Sequence, residues 1–233
     1  LEDWWQYEQM SAGRAGTVYA DLYNGNMVLE HVDTTMTGNR LPVSVNHYYN
    51  SCLTASNDFY CGYGWKTSMH QYVYSYTISG TDYYIWMDGD GTEHFFPKTG
   101  SAPYEDAEGM SLKLQPYSTY YIITDKANTQ MRFNIVSGRE KAWLGGLRDS
   151  MENTVTLTYN AAEGQIAKIT DPAGRETNFY YTNNLLSSIT TPAAESGTLR
   201  TVYFTYATAF GCLTGIRYSE LGGTAAHTTY AYD

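Results

Sequence analysis

The sequence predicts an all-β chain, a curled antiparallel sheet of stacked β-hairpin repeats. Three observations predict it. Tyr is the strongest compositional signal, 24 of 233 residues, alongside 21 Gly; Tyr and Thr favour strands, and Gly separates them with turns. Ala, Leu, Glu and Lys nowhere gather into a long amphipathic pattern, so little helix is expected. Finally, an aromatic residue recurs at Phe133, Tyr159, Tyr181, Tyr206 and Tyr232, at spacings of 26, 22, 25 and 26 residues, the mark of an internal repeat.

Taken in order, residues 1–16 form an N-terminal arm with Trp4, Trp5, Tyr7 and Met10 before a polar Ser-Ala-Gly-Arg-Ala-Gly. Two readings stand for the arm: buried indoles that pin it to the body, or an aromatic ligand platform. Residues 17–122 read as a pre-repeat β region. Strands at 18–23 and 27–32 flank Asn24-Gly25, which predicts a two-residue hairpin turn. At 42–49, Val43, Val45 and His47 alternate with Ser44, Asn46 and Tyr48, which places His47 in the core. Cys52 and Cys61 bracket a polar loop. With Cys212 they are three free thiols or, in an oxidising compartment, one Cys52–Cys61 bond with Cys212 left over. Strands follow at 69–78 and 82–87, a turn at Asp88-Gly-Asp-Gly91, then strands at 92–96, 110–114 and 119–124 around a loop at 101–109.

Residues 123–233 carry about five hairpin units. Two positions before the anchors stand Met131, Leu157, Phe179, Phe204 and Tyr230; four before stand Thr129, Val155, Thr177, Val202 and Thr228. This is one strand face at period two. The following strands carry Ile166 and Ile169, Leu186 and Ile189, and Leu213 and Ile216, each pair preceded by Gly164, Asn184 or Gly211. Gly and Asn enter the left-handed region most readily, so these three predict turn residues with positive φ. A further turn led by Asp recurs at Asp125-Lys-Ala-Asn128 and Asp171-Pro-Ala-Gly174. A hairpin of this size cannot bury its apolar face alone, but stacked copies extend one sheet that twists and curls toward a tube or shell.

The formal charge of −10 argues against nucleic acid or an anionic membrane as partner, because either needs a basic stripe. No apolar run reaches the roughly 18 residues of a bilayer span. Without an initiator Met or signal-peptide pattern, and with a strand running to Tyr232-Asp233, the chain is expected to be a piece of something longer.

The unit Asp171-Pro-Ala-Gly-Arg175, Phe179-Tyr-Tyr181 and Leu186-x-x-Ile189-Thr190, with the terminal Tyr232-Asp233, resembles the Rhs/YD repeat. Tyr23-Asn-Gly-Asn-Met-Val28, Asn39-Arg-Leu-Pro-Val-Ser-Val-Asn-His-Tyr-Tyr-Asn-Ser51, Gly62-Tyr-Gly-Trp65 and Asp88-Gly-Asp-Gly-Thr-Glu-His-Phe95 resemble, in order, the segment that precedes the repeats in bacterial Rhs proteins. The similarity runs over about residues 12 to 233. It implies a partial spiral β-shell, as in Rhs polymorphic toxins, toxin-complex components and teneurins, in a secreted or cell-surface bacterial protein. In the toxins such a shell encloses a C-terminal effector, released by aspartyl self-cleavage. The self-cleavage signature is not recognisable here, and Asp171-Pro172 sits in a repeat turn.

No residue stands out as catalytic, cofactor-binding or metal-binding. His31, His47, His70, His94 and His227 are scattered without metal spacing. Asp88, Asp90, Glu93 and His94 are the densest polar group, but they lack the full calcium-loop spacing and suit a hairpin turn. The expectation is a non-enzymatic structural segment without cofactor. Its partners would be the remainder of the parent chain, including further repeats and the effector, and copies of itself through open sheet edges. The alternative is a carbohydrate-binding module, with exposed Tyr and Trp stacking on the sugars of cell-surface glycans.

Overall fold

The computed structural model describes residues 7–38, 40–53, 59–193, 197–207, 211–219 and 227–232; Trp4, Trp5 and Asn39 lie outside them. Every extended element is an antiparallel strand. Single 3-10 turns at Gly13–Ala15 and Ser51–Leu53 are the only helical content among the described residues.

Five strands form the first sheet in chain order: β1 (Tyr7–Ser11), β2 (Thr17–Asp21), β3 (Met27–Met36), β4 (Val43–Asn50) and β5 (Trp65–Thr67). The second sheet has fifteen. A three-strand meander opens it: β6 (Tyr72–Ile78), β7 (Thr81–Met87) and β8 (Glu93–Pro97). A long strip of successive neighbours follows: β9 (Tyr104–Glu105), β10 (Lys113–Pro116), β11 (Tyr120–Thr124), β12 (Gln130–Asn134), β13 (Ala142–Arg148), β14 (Thr154–Tyr159), β15 (Ile166–Thr170), β16 (Glu176–Thr182), β17 (Leu185–Pro192), β18 (Leu199–Tyr206), β19 (Leu213–Tyr218) and β20 (His227–Thr229). The meander branches from β13, where Ala142 and Trp143 pair with Val73 and Tyr72 of β6. Residues 106–108 bridge the gap beside β8: Ala107 N–H donates to the Phe95 carbonyl at 2.8 Å and Phe95 N–H to Glu108 Oε1 at 3.1 Å. Among the described residues no strand pair completes this contact, and the sheet stays open.

The expected face of the repeats is the core. Val155, Thr177 and Val202 are buried with Leu157, Phe179 and Phe204 beside them. Ile166, Ile169, Leu186, Ile189, Leu213 and Ile216 are completely buried. The paired apolar residues lie three apart, an odd offset that a period-two strand would place on opposite faces. A β-bulge resolves the conflict. Tyr159 pairs with Ile166 but Thr158 with Lys168, which leaves Ala167 as the extra residue. Ser187, Thr214 and, upstream, Gly145 occupy the same place in their hairpins. One inserted residue per hairpin returns both apolar side chains to the inner face and increases the local twist.

The turns alternate in kind. Gly164, Asn184 and Gly211 have φ of 75°, 60° and 62°, as their types predicted. At the other end of the hairpins, Asp125, Asp149 and Asp171 each lead a turn whose fourth residue is left-handed: Asn128, Glu152 and Gly174. The Asp149 copy escapes sequence reading because Glu is an unusual occupant of that region.

Elsewhere the strands depart in detail from expectation. β6 and β10 begin at Tyr72 and Lys113, three residues later than predicted. Asn24-Gly25 is no two-residue turn. β2 ends at Asp21 and β3 starts at Met27, because Asp21 Oδ1 accepts the Tyr23 N–H at 2.8 Å and Asn24 Oδ1 the Asn26 N–H at 2.7 Å. These side chains give the backbone local partners in place of the ladder.

The first sheet lies over the inner face of β16–β19. Thr177 Oγ1 donates to Met36 Sδ at 3.4 Å, Thr34 and Thr191 hydroxyls meet at 3.0 Å, and the His47 ring sits 4.5 Å from Phe204. The β6–β8 meander covers the earlier strands, with Phe96 in one apolar cluster with Leu114, Ile123 and Phe133.

Candidate functional site

The anchor tyrosines do more than fill the core. Tyr159 OH donates to the Leu144 carbonyl at 2.7 Å, Tyr181 to Ile166 at 2.8 Å, Tyr206 to Leu186 at 2.8 Å and Tyr232 to Leu213 at 2.5 Å. Each accepting carbonyl belongs to the residue just before a bulge, where the ladder is interrupted. One phenol per repeat therefore stitches a hairpin to its predecessor. Burial pushes the Tyr159, Tyr181 and Tyr206 hydroxyls well above their ordinary range. The first anchor, Phe133, is fully buried and has no hydroxyl to donate.

Against this apolar face the first sheet presents Met36, Val43, Val45 and Trp65 with an ionisable pair among them. A bulge in β3 between Val32 and Thr34 turns Asp33 inward, where its Oδ2 contacts His47 Nδ1, both side chains fully buried. His47 is thus a core residue, as predicted, but one with a buried carboxylate partner. Lys66 on β5 is also fully buried; its Nζ donates to the Asp88 carbonyl and lies 5.2 Å from the Phe59 ring centre. Burial lowers this ammonium to about 8.

The Asp88–His94 group is a hairpin turn. Asp88 Oδ1 accepts the N–H groups of Asp90, Gly91 and Thr92 at 3.1, 3.0 and 2.9 Å, and Oδ2 contacts His94 Nε2 at 3.2 Å. Burial opposes ionisation of Asp88, yet the His94 bond and nearby Lys66 bring it below the usual carboxylate range. Glu93 faces elsewhere and accepts Tyr74 OH at 2.8 Å. Among the described residues no three His, Cys, Asp or Glu side chains are arranged to hold a metal ion. No disulfide joins the three cysteines: Cys52 is exposed, Cys212 half-buried and Cys61 buried, with its thiol pushed up by burial. The Cys52–Cys61 bond does not form.

Asp171-Pro172 is a joint. Asp171 Oδ1 accepts the N–H groups of Ala173 and Arg175 at 2.9 and 2.8 Å. Arg175, paired with Asp171 at 2.7 Å, donates to the Thr37 carbonyl at 2.9 Å, and Arg40 donates to the Pro172 carbonyl at 2.9 Å. The loop after β3 is thereby fastened to a repeat turn.

On the outer face, a groove of about 670 Å³ crosses β11–β14 where Gly146 leaves the sheet bare, edged by Tyr120, Gln130, Arg132, Asn134 and Thr156. Tyr117 stacks on Tyr120 at 4.6 Å and the Arg132 guanidinium lies 4.2 Å from the same ring. Tyr180 and Tyr203 are exposed and both oppose Ser188, one from each side. Trp65, Trp86 and Trp143 are buried.

Residues 20–96 match a family described as Domain of unknown function (DUF6531). The chain is 29% identical over 159 residues to the tRNA3(Ser)-specific nuclease WapA of Bacillus spizizenii and to the tRNA nuclease WapA of Bacillus subtilis. The alignment takes in 68% of this chain, which spans about 6% of the length of either relative. No helix among the described residues is long and apolar enough to cross a membrane.

Proposed function

We propose that this chain is a non-enzymatic structural segment of a secreted or surface Rhs/YD-repeat toxin. Residues 1–16 are its arm, 17–122 the pre-repeat region that starts and caps the shell, and 123–233 the first Rhs/YD repeats. The observation that carries this reading is the tyrosine stitch, one phenol per repeat bonded to the preceding hairpin, which lets a sheet extend by adding identical units. The similarity to much longer nucleases supports it; in this reading any catalytic part of the parent lies outside these residues. The test uses the parent chain. Deleting residues 17–71 should leave the effector's activity intact once it is released, yet open the intact particle to protease at its start. Loss of effector activity in the released fragment would sink the scaffold reading.

A second reading, a carbohydrate-binding surface, is favoured by the outer groove with Tyr120, Arg132 and Gln130 and by the exposed pair Tyr180 and Tyr203. A glycan array decides it: saturable binding lost in Tyr180→Ala or Tyr203→Ala would establish this role, and a blank array would remove it.

A further inference from the structure

The chain crosses from the first sheet to the second between Thr67, the end of β5, and Tyr72, the start of β6. His70 sits in this crossing and is completely buried. Its Nδ1 accepts the Thr67 backbone N–H at 3.2 Å and meets the Thr67 hydroxyl at 2.9 Å. An amide N–H can only donate, so Nδ1 must be the unprotonated nitrogen of a neutral ring. We propose that His70 is an acid-sensitive joint between the two sheets: protonation of Nδ1 removes the acceptor of the Thr67 amide and releases the crossing.

Among the described residues the surroundings offer an imidazolium no counter-charge. From β5 comes the Lys66 ammonium and from β4 His47, whose carboxylate partner is Asp33 of β3. Asp88 and Asp90 of the β7–β8 turn and Cys61 of the segment before β5 lie near enough to favour the charged form of Lys66. The Asp88 carboxylate itself is taken up by its own turn and by His94. The Phe59 ring lies 5.8 Å away. The β14–β15 turn contributes the Gly164 carbonyl, while Glu163 beside it is engaged by Trp143 at 3.3 Å and Arg139 at 3.9 Å. Burial, then Lys66 and His47, depress the His70 imidazole well below its ordinary value.

The sign follows. The folded joint stays neutral while the opened chain takes up a proton near pH 6.5, so the neutral joint is favoured above that pH and lost as pH falls. The opened population should rise about tenfold per pH unit below about 6.5.

Hydrogen exchange of the whole chain between pH 7.5 and 5, corrected for intrinsic rates, tests this. Protection of Thr67 and its neighbours should hold down to about pH 6.5 and then fall about tenfold per pH unit, while β14–β17 keep theirs. In His70→Gln, which retains an acceptor and cannot titrate, that fall should vanish. Unchanged protection down to pH 5, or the same fall in His70→Gln, overturns the proposal. If His70→Gln does not fold, the wild-type His70 ring resonance decides: titration near 6.5 in the folded chain overturns the joint, and a neutral ring at pH 5.5 supports it.

Discussion

The two surfaces that meet between the sheets are both buried, but only one of them carries ionisable side chains at its centre. The repeat side is Leu, Ile, Val and Phe with tyrosine hydroxyls at its margin; the cap side sets His31, Asp33 and His47 among Met36, Val43, Val45 and Trp65. An apolar face accepts any neighbour that excludes water, which is what a repeated unit needs in order to extend. A buried ionisable pair such as Asp33 and His47 accepts one arrangement, because any slip strands one member without its partner. The repeats are therefore specified by pattern, and the seating of the cap by pairing.

This contrast predicts opposite failures with pH. The three buried anchor phenols keep their protons when folded but ionise near pH 10 when unfolded, so they stabilise the fold below that pH and the benefit is lost above it. Between pH 10 and 11, where the unfolded phenols pass from half to almost fully ionised, urea unfolding should show these three lowering stability by about 3 kcal/mol. Lys66 contributes the opposite slope only between about pH 8 and 10.4. A slope above pH 10.5 no steeper than that of a single proton would break the comparison.

Phe179→Ala, in the centre of the repeat face, should cost about 3–5 kcal/mol; a loss below about 1 kcal/mol would mean the column is not core. On the cap side, Asp33→Ala leaves His47 buried beside no carboxylate and should cost about 3 kcal/mol, much of it restored when His47 is made apolar as well. A double-mutant cycle checks this, and strict additivity would refute the pairing. The smallest effects separate the two faces of one strand. Tyr181→Phe removes a buried bond and should cost about 1–2 kcal/mol, whereas Tyr180→Phe on the outer face should stay within about 0.5 kcal/mol. Equal costs would deny the stitch.

The all-β class, the strand-and-turn rhythm and the inward residues of the repeats were legible because they are local, following from period-two alternation and the backbone freedom of Gly and Asn. The bulges at Ala167, Ser187 and Thr214 were visible only as an odd spacing between two apolar residues. Lys66 was invisible: a lysine between Trp65 and Thr67 reads as solvated, since lysine is rarely buried unless paired. Asp33 was equally hidden, because the β3 bulge that turns it inward shows only once β4 supplies the register.

The sequence by itself determined a chain of hairpins with one apolar face, because alternation and turn chemistry act over a few residues. The tertiary structure alone decided which hydroxyl meets which carbonyl, where Arg40 and Arg175 fasten the loop after β3, and that His70 lies where the chain passes between sheets. Those contacts join residues far apart in sequence, and their energies depend on burial that exists only once both sheets are in place.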